Sequence, residues 1–292
     1  MSWSEERLHR WIERWTGRPG DDAALLARMR GPSVACTDQC IEGVHFEPGT
    51  SPARAGAKAA ARTLSDLAAS AARPRGLLAA LRAPKAATEA WIRACLRAVD
   101  RRGRDFGAPL VGGDLALAPG PLALAITAVG ELEPRGGAAP RLPSRDRARS
   151  GQALVLTGPV GGSRLGRHLR IEPRVELGQR LAALGATAMI DVSDGLARDL
   201  SRLARASGVR IELDRVPIHR DAHRAAKLDG RDALWHALHD GEDHELLAAL
   251  PATAASKLPA TDGQAVGRIV RGRGLYIQGA RWDGDGGFVH GG

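Results

Sequence analysis

Aspartates set among small residues recur along the 292-residue chain, most of them where an apolar stretch ends. Asp22 follows Gly20-Asp21, Asp38 follows Thr37, Asp66 follows Ser65, and Asp114 follows Gly112-Gly113. Asp191 and Asp194 share the run Asp191-Val192-Ser193-Asp194-Gly195. Small neighbours let a backbone and a bulky polyanion approach closely. Acids gathered in this way repel one another unless cations lie between them, and Mg²⁺ is the hard cation usually held by carboxylates together with substrate phosphates. One aspartate in a turn is ordinarily a local cap, and Asp21 fits that reading. Six in such settings are not explained by capping alone.

The segments between these acids alternate in period. Ser2 and Glu5 form a capping box ahead of Leu8, Trp11, Ile12 and Trp15, which predicts a helix to about Thr16. Strands are expected over 32–37, 76–81 and 122–132, and helices over 53–72 and 86–105. Beyond a Gly-, Pro- and Arg-rich stretch at 135–149, strands are expected over 153–157, 188–190, 209–213, 246–250, 266–270 and 275–277. Helices are expected around 165–169, 175–184, from Leu196, and over 231–238. Strands and helices mix in both halves, so the fold class is α/β (α+β) in two domains, 1–140 and 141–292.

The net charge is +9, yet only four of the 42 basic residues are lysines and the arginines are scattered. Three Phe and one Tyr are too few for a base-stacking platform, so no specific nucleic acid is expected as partner. No apolar run is long enough to span a membrane. Three cysteines make no closed disulfide framework, so a reducing, cytoplasmic setting is the default. Cys36 and Cys40 read as small buried residues rather than half of a metal site. Trp3, Trp11 and Trp15 read as packing residues of the first helix. His219, His223, His236, His239 and His244 read as surface residues, and Asp199 as helix surface within reach of a metal. Gly158 to Ser163 is Gly-rich but holds no lysine, so it is no P-loop, and the protein-kinase motifs are absent. Phosphoryl transfer here would depend on metals and arginines.

Six motifs then carry a family resemblance. Gly20-Asp21-Asp22-Ala23-Ala24, Thr37-Asp38 with Gly43-Val44-His45-Phe46, Ser65-Asp66-Leu67-Ala68-Ala69, Gly112-Gly113-Asp114, Asp191-Val192-Ser193-Asp194-Gly195-Leu196 and Gly241-Glu242-Asp243-His244-Glu245-Leu246 stand in the order and spacing of the thiamine-monophosphate kinase family. The resemblance implies a fold shared with aminoimidazole-ribonucleotide synthetase. In that fold an N-terminal sheet domain binds ATP and metal and dimerises, and a C-terminal α+β domain closes over the site. It implies the reaction of ATP with thiamine monophosphate to give ADP and thiamine diphosphate, by direct transfer with several Mg²⁺ ions. It further implies metal ligands at Asp22, Cys36, Thr37, Asp38, Asp66, Asp114, Asp191 and Asp194, and nucleotide contacts at Gly113, Asp114, Arg145 and Ser193. Substrate contacts fall at His45, Glu242, Asp243 and Phe288, and Asp38 and Arg145 are the catalytic pair.

The chain departs from the pattern at several places. Cys36 replaces an oxygen-bearing ligand and is too soft for Mg²⁺. Leu115-Ala116 replace two threonines, and Gly162 stands where an acid is usual. The alternatives left open are a sister ATP enzyme of the same fold with another acceptor, and an inactive nucleotide-binding homologue.

Overall fold

The computed structural model describes residues 5–17, 23–26, 28–134 and 140–284. It divides into two compact units, one comprising residues up to Leu67 together with Pro74–Glu131, the other Ala68–Arg73 and the chain from Leu132 onward. Asp22 and Phe288 lie outside the described residues, as does Ser2 of the expected capping box.

In the first unit, helix α1 (Glu5–Thr16) buries Leu8 and Trp11, and Trp11 stacks on Trp15 with ring centroids 5.0 Å apart. Strand β1 (Ser33–Ile41) is followed by α2 (Pro52–Ala69), β2 (Arg73–Ala83), α3 (Glu89–Asp105), β3 (Leu110–Leu117) and β4 (Ala123–Glu131). Helix α3 starts where the Thr88 hydroxyl accepts from the Trp91 N–H, and it buries Ile92, Cys95, Leu96 and Val99 at helical spacing. The four strands lie in the order β1-β4-β2-β3. Strand β4 alternates, burying Leu124, Ile126 and Ala128.

Strand β1 runs four residues past the expected end at Thr37. Its antiparallel ladder to β4 continues through Asp38↔Ile126 to Ile41↔Ala123, so Asp38 lies inside a strand rather than at its end. Strand β3 likewise runs through Gly112-Gly113-Asp114, in parallel register with β2 at Ala79↔Gly113 and Ala80↔Asp114. A Cβ on Gly113 would stand 2.0 Å from the Ala79 carbonyl oxygen, so the approach of these two strands itself demands glycine there.

In the second unit the chain runs β5 (Gln152–Leu156), two 3₁₀ turns (Ser163–Leu165 and Arg167–Leu169), α4 (Val175–Ala183), β6 (Ala188–Asp191), α5 (Leu196–Ser207) and β7 (Arg210–Leu213). It continues with α6 (Arg220–Asp229), α7 (Ala233–His239), β8 (Leu246–Pro251), α8 (Ala252–Ala255), β9 (Gln264–Val270), β10 (Gly274–Ile277) and β11 (Ala280–Trp282). The sheet order is β11-β10-β7-β9-β5-β8-β6. Helix α5 packs Leu196, Leu200 and Leu203 into a core with Leu154, Leu156, Ile190, Ile211, Leu247 and Ile269. The expected helix at 165–169 is instead the pair of 3₁₀ turns, broken by Gly166 at φ 117°. Helix α6 and strand β11 lie beyond the elements that periodicity predicts. Among the described residues no helix is long and apolar enough to cross a membrane.

Candidate active site

In the first unit the pleat of β1 sorts the candidate residues onto two faces. Cys36 and Asp38 point toward α2. The Cys36 Sγ donates to the Thr63 carbonyl at 3.3 Å, and Arg62 grips Asp38 through Nε–Oδ2 at 2.8 Å and Nη2–Oδ1 at 3.2 Å. Thr37 points the other way. Its hydroxyl donates to the Ile126 carbonyl at 3.2 Å and accepts from Thr127 at 3.1 Å. Adjacent strand residues face opposite sides of a sheet, so Thr37 and Asp38 do not offer side-chain oxygens to one ion. Cys36 is half-buried rather than buried, and Cys40 is buried. Asp66 is half-buried, one turn beyond Arg62 on α2. Asp114 is exposed on β3, with β4 and β2 lying between it and β1.

His45 sits just beyond β1. Its Nδ1 accepts from the Ile41 N–H at 3.0 Å, which leaves Nε2 as the nitrogen carrying the proton. The carbonyl of His45 accepts from Nζ of Lys58 at 2.5 Å, and Lys58 is fully buried within α2. A buried ammonium needs such partners to offset its lost hydration. Lys58 therefore fixes the backbone that carries the His45 ring. The sequence signal for Lys58 is its place on the helix stripe of Ala55, Ala59 and Arg62, all buried.

In the second unit two distant loops are laced together. The Glu242 N–H donates to the Ser193 carbonyl at 2.7 Å, and the N–H groups of Asp243 and His244 both donate to the Val192 carbonyl. Val192 N–H returns a bond to Glu245. Glu242 and His244 both take φ +54°, a left-handed conformation uncommon for residues other than glycine. Strain of this kind persists where surrounding contacts over-determine the backbone, and it concentrates at functional sites. The lacing brings Asp191, Ser193, Asp194 and Glu242 into one locality.

Three acids there are met by protein side chains or backbone donors. His244, almost fully buried, places Nδ1 3.0 Å from Oδ2 of Asp191, and its Nε2 has no partner among the described residues. Asp194 pairs with Arg202 at 2.5 Å. Asp199 is fully buried, contrary to its expected place on the helix surface. Its Oδ2 accepts from the N–H groups of Ser193 and Asp194, each at 3.0 Å, so it caps this loop from inside α5. Burial pushes the Asp199 carboxyl up to about 7, and the charges of Asp191 and Asp194 add to that against the Asp194 N–H and Arg202. The expectation of surface histidines also fails for His244 and for His236, which is buried between Asp229 and Asp240.

Asp243 is buried behind this loop. Its oxygens accept from Gly161 N–H at 2.9 and 3.1 Å and from Arg167 at 2.7 Å, so it holds the 158–163 turn in place instead of facing outward. Gly162 has φ +72°, and a Cβ there would stand 2.2 Å from the Asp221 backbone. The acid missing at this position therefore has no room, and Asp240 supplies a carboxylate to the Gly162 N–H instead at 2.7 Å. Glu245 accepts from Thr157 at 2.6 Å and from Arg174 at 2.5 Å. Arg145 is exposed, with its carbonyl held by the Ser207 hydroxyl at 2.6 Å.

Among the described residues no three His, Cys, Asp or Glu side chains gather into a ready metal cage. Single carboxylates of this kind still suit Mg²⁺, which keeps several waters and binds through one or two carboxylates plus substrate phosphates. Asp38, Asp66 and Asp114, and in the other unit Asp191 and Asp194, supply the hard oxygens such an ion takes. Cys36 does not, being soft and already turned to Thr63.

Residues 20–132 match the family described as AIR synthase related protein, N-terminal domain, and residues 147–278 match its C-terminal domain. The chain is 38% identical over 273 residues to a thiamine-monophosphate kinase of Rhodopirellula baltica, covering 88% of this chain and 84% of that one. A thiamine-monophosphate kinase structure from Stenotrophomonas maltophilia K279a superposes with a TM-score of 0.80 at 33% identity, over 97% of this chain and 99% of the other. AaThiL complexed with AMPPCP and TMP superposes with a TM-score of 0.80 at 26% identity, over 97% and 96% of the two chains.

Proposed function

The chain belongs to the thiamine-monophosphate kinases of the AIR synthase related family, and from that premise we propose its reaction and the residues that perform it. ATP and thiamine monophosphate give ADP and thiamine diphosphate. The γ-phosphoryl group leaves the ADP oxygen and joins an oxygen of the acceptor phosphate. The observation that carries this reading is likeness to named thiamine-monophosphate kinases across nearly the whole chain, 84% of the Rhodopirellula relative included. The laced loops at 191–195 and 241–245 support it, because they set two of the six family motifs side by side.

Within this reading residues 1–140 carry nucleotide, metal and dimer contacts, and residues 141–292 complete the site. Asp38, Asp66, Asp114, Asp191 and Asp194, with Asp22, hold Mg²⁺, whereas Thr37 contributes only through its backbone. When bound, Mg²⁺ supplies charge neutralisation at the phosphates. Gly113, Asp114 and Ser193 contact the nucleotide, and Arg145 presents a planar guanidinium to its phosphates. His45 offers Nε2–H to the acceptor phosphate, Glu242 and Phe288 complete the acceptor site, and Asp243 positions the 158–163 turn behind it. The protein acts as a homodimer in the cytoplasm. Separation of thiamine phosphates after incubation with ATP, Mg²⁺ and thiamine monophosphate tests the reaction; recovery of unchanged thiamine monophosphate alone would overturn it.

A further inference from the structure

Both carboxylate oxygens of Asp38 are taken by a single protein cation. Arg62 reaches it in fork geometry, Nε to Oδ2 at 2.8 Å and Nη2 to Oδ1 at 3.2 Å. The arginine is nine-tenths buried along α2, while the Asp38 side chain keeps 28% exposure. The guanidinium thus approaches Asp38 from the protein side and leaves the carboxylate edge toward solvent. A bidentate pair of this kind is among the stronger charge-assisted contacts, and its planar fork is pre-organised by the surrounding helix. In the second unit Arg202 meets Asp194 through one nitrogen instead of a fork, and His244 Nδ1 lies 3.0 Å from Asp191.

We propose that Arg62 is the resident counter-ion of Asp38, so that a divalent cation reaches this carboxylate only by drawing an oxygen away from the guanidinium. Without nucleotide the carboxylate is neutralised and held in one rotamer, and affinity for free divalent cations is low. This makes Arg62 a positioning residue that tunes metal entry. The inference rests on the metal-facing role proposed above for Asp38.

The test is Mn²⁺ binding to the full chain without nucleotide, read by the loss of the free-ion electron paramagnetic resonance signal. Arg62→Gln is expected to bind Mn²⁺ about tenfold more tightly than the unaltered chain, the order of one charge-assisted contact. The gain should vanish in Asp38→Asn/Arg62→Gln, and Arg82→Gln in the same unit should not produce it. Thermal melts check that each variant folds. If Arg62→Gln does not fold, Arg62→Lys reads the same question, since it keeps a point charge and loses the fork; a gain of about threefold is then expected. Unchanged or weaker Mn²⁺ binding in the folded variant, or a gain that survives Asp38→Asn, overturns the proposal. Because no nucleotide or acceptor is present, this result stands apart from the assay for thiamine diphosphate, whose failure would overturn the reaction instead.

Discussion

His244 and Asp191 form a buried pair, Nδ1 to Oδ2 at 3.0 Å, although they lie 53 residues apart and on opposite sides of a laced loop. Each side chain is almost completely withdrawn from solvent. Removing the imidazole takes one hydrogen-bond partner from a buried carboxylate. Loss of a hydrogen bond to a charged group costs roughly 1.5–3 kcal/mol, so His244→Ala should destabilise the protein by about that much. Asp191→Asn/His244→Ala should lose clearly less than the two single changes combined. Denaturant unfolding of all four proteins checks this, and strict additivity would show that the two groups do not interact.

Asp243 gives the fold a defined pH dependence. Burial raises its carboxyl from the ordinary 3.8 to about 6, against the opposing pull of Arg167 and the Gly161 N–H. Between about pH 4 and pH 6 the native state holds this proton and the unfolded state does not. Linkage then makes native stability fall as pH rises through that window. The stability difference between the natural chain and Asp243→Asn should shift against the natural chain from pH 4 to pH 6 and level off above it. A difference that is flat with pH would contradict the assignment.

Arg145 is exposed and its backbone is pinned by Ser207. Its side chain can therefore change with little effect on folding. Arg145→Ala should lower turnover roughly 10²-fold, the usual loss for one pre-organised electrostatic donor. Arg145→Lys should recover little, because a lysine cannot offer the bidentate fork. Steady-state kinetics decide it; full rescue by lysine would show that a point charge suffices.

The Ile41 N–H occupies Nδ1 of His45, which leaves Nε2 as the donor nitrogen of the ring. His45→Ala should raise KM for thiamine monophosphate about tenfold and leave KM for ATP nearly unchanged, as expected when one hydrogen bond to a charged group is lost. Lys58→Met, which releases the His45 carbonyl, should give the same pattern in weaker form. Equal rises in both constants would place His45 outside the acceptor site. Phe288→Ala is expected to follow the His45 pattern.

How far these contacts could be read from sequence depends on how local their causes are. The strand–turn–helix at 188–207 is legible, since apolar residues change from a short run to helical spacing across Gly195. The burial of Asp199 has a signal in the sequence. This residue stands three residues after Leu196 and four before Leu203, on the buried stripe of α5. The extent of strand β1 beyond Thr37 is not legible locally, because its continuation depends on pairing with β4, some 90 residues away. The grip of Arg62 on Asp38 and the burial of His244 also arise from tertiary packing. The left-handed turns at Glu242 and His244 break any periodicity that would have revealed the latter.

Transfer of label from ATP carrying a radioactive γ-phosphorus tests the central claim most directly. With Mg²⁺ and thiamine monophosphate, label should move into thiamine diphosphate with one ADP formed for each, and Asp38→Asn should abolish the transfer while melting as a folded protein. Label that stays in ATP, or that appears as inorganic phosphate at a rate indifferent to thiamine monophosphate, would contradict the account.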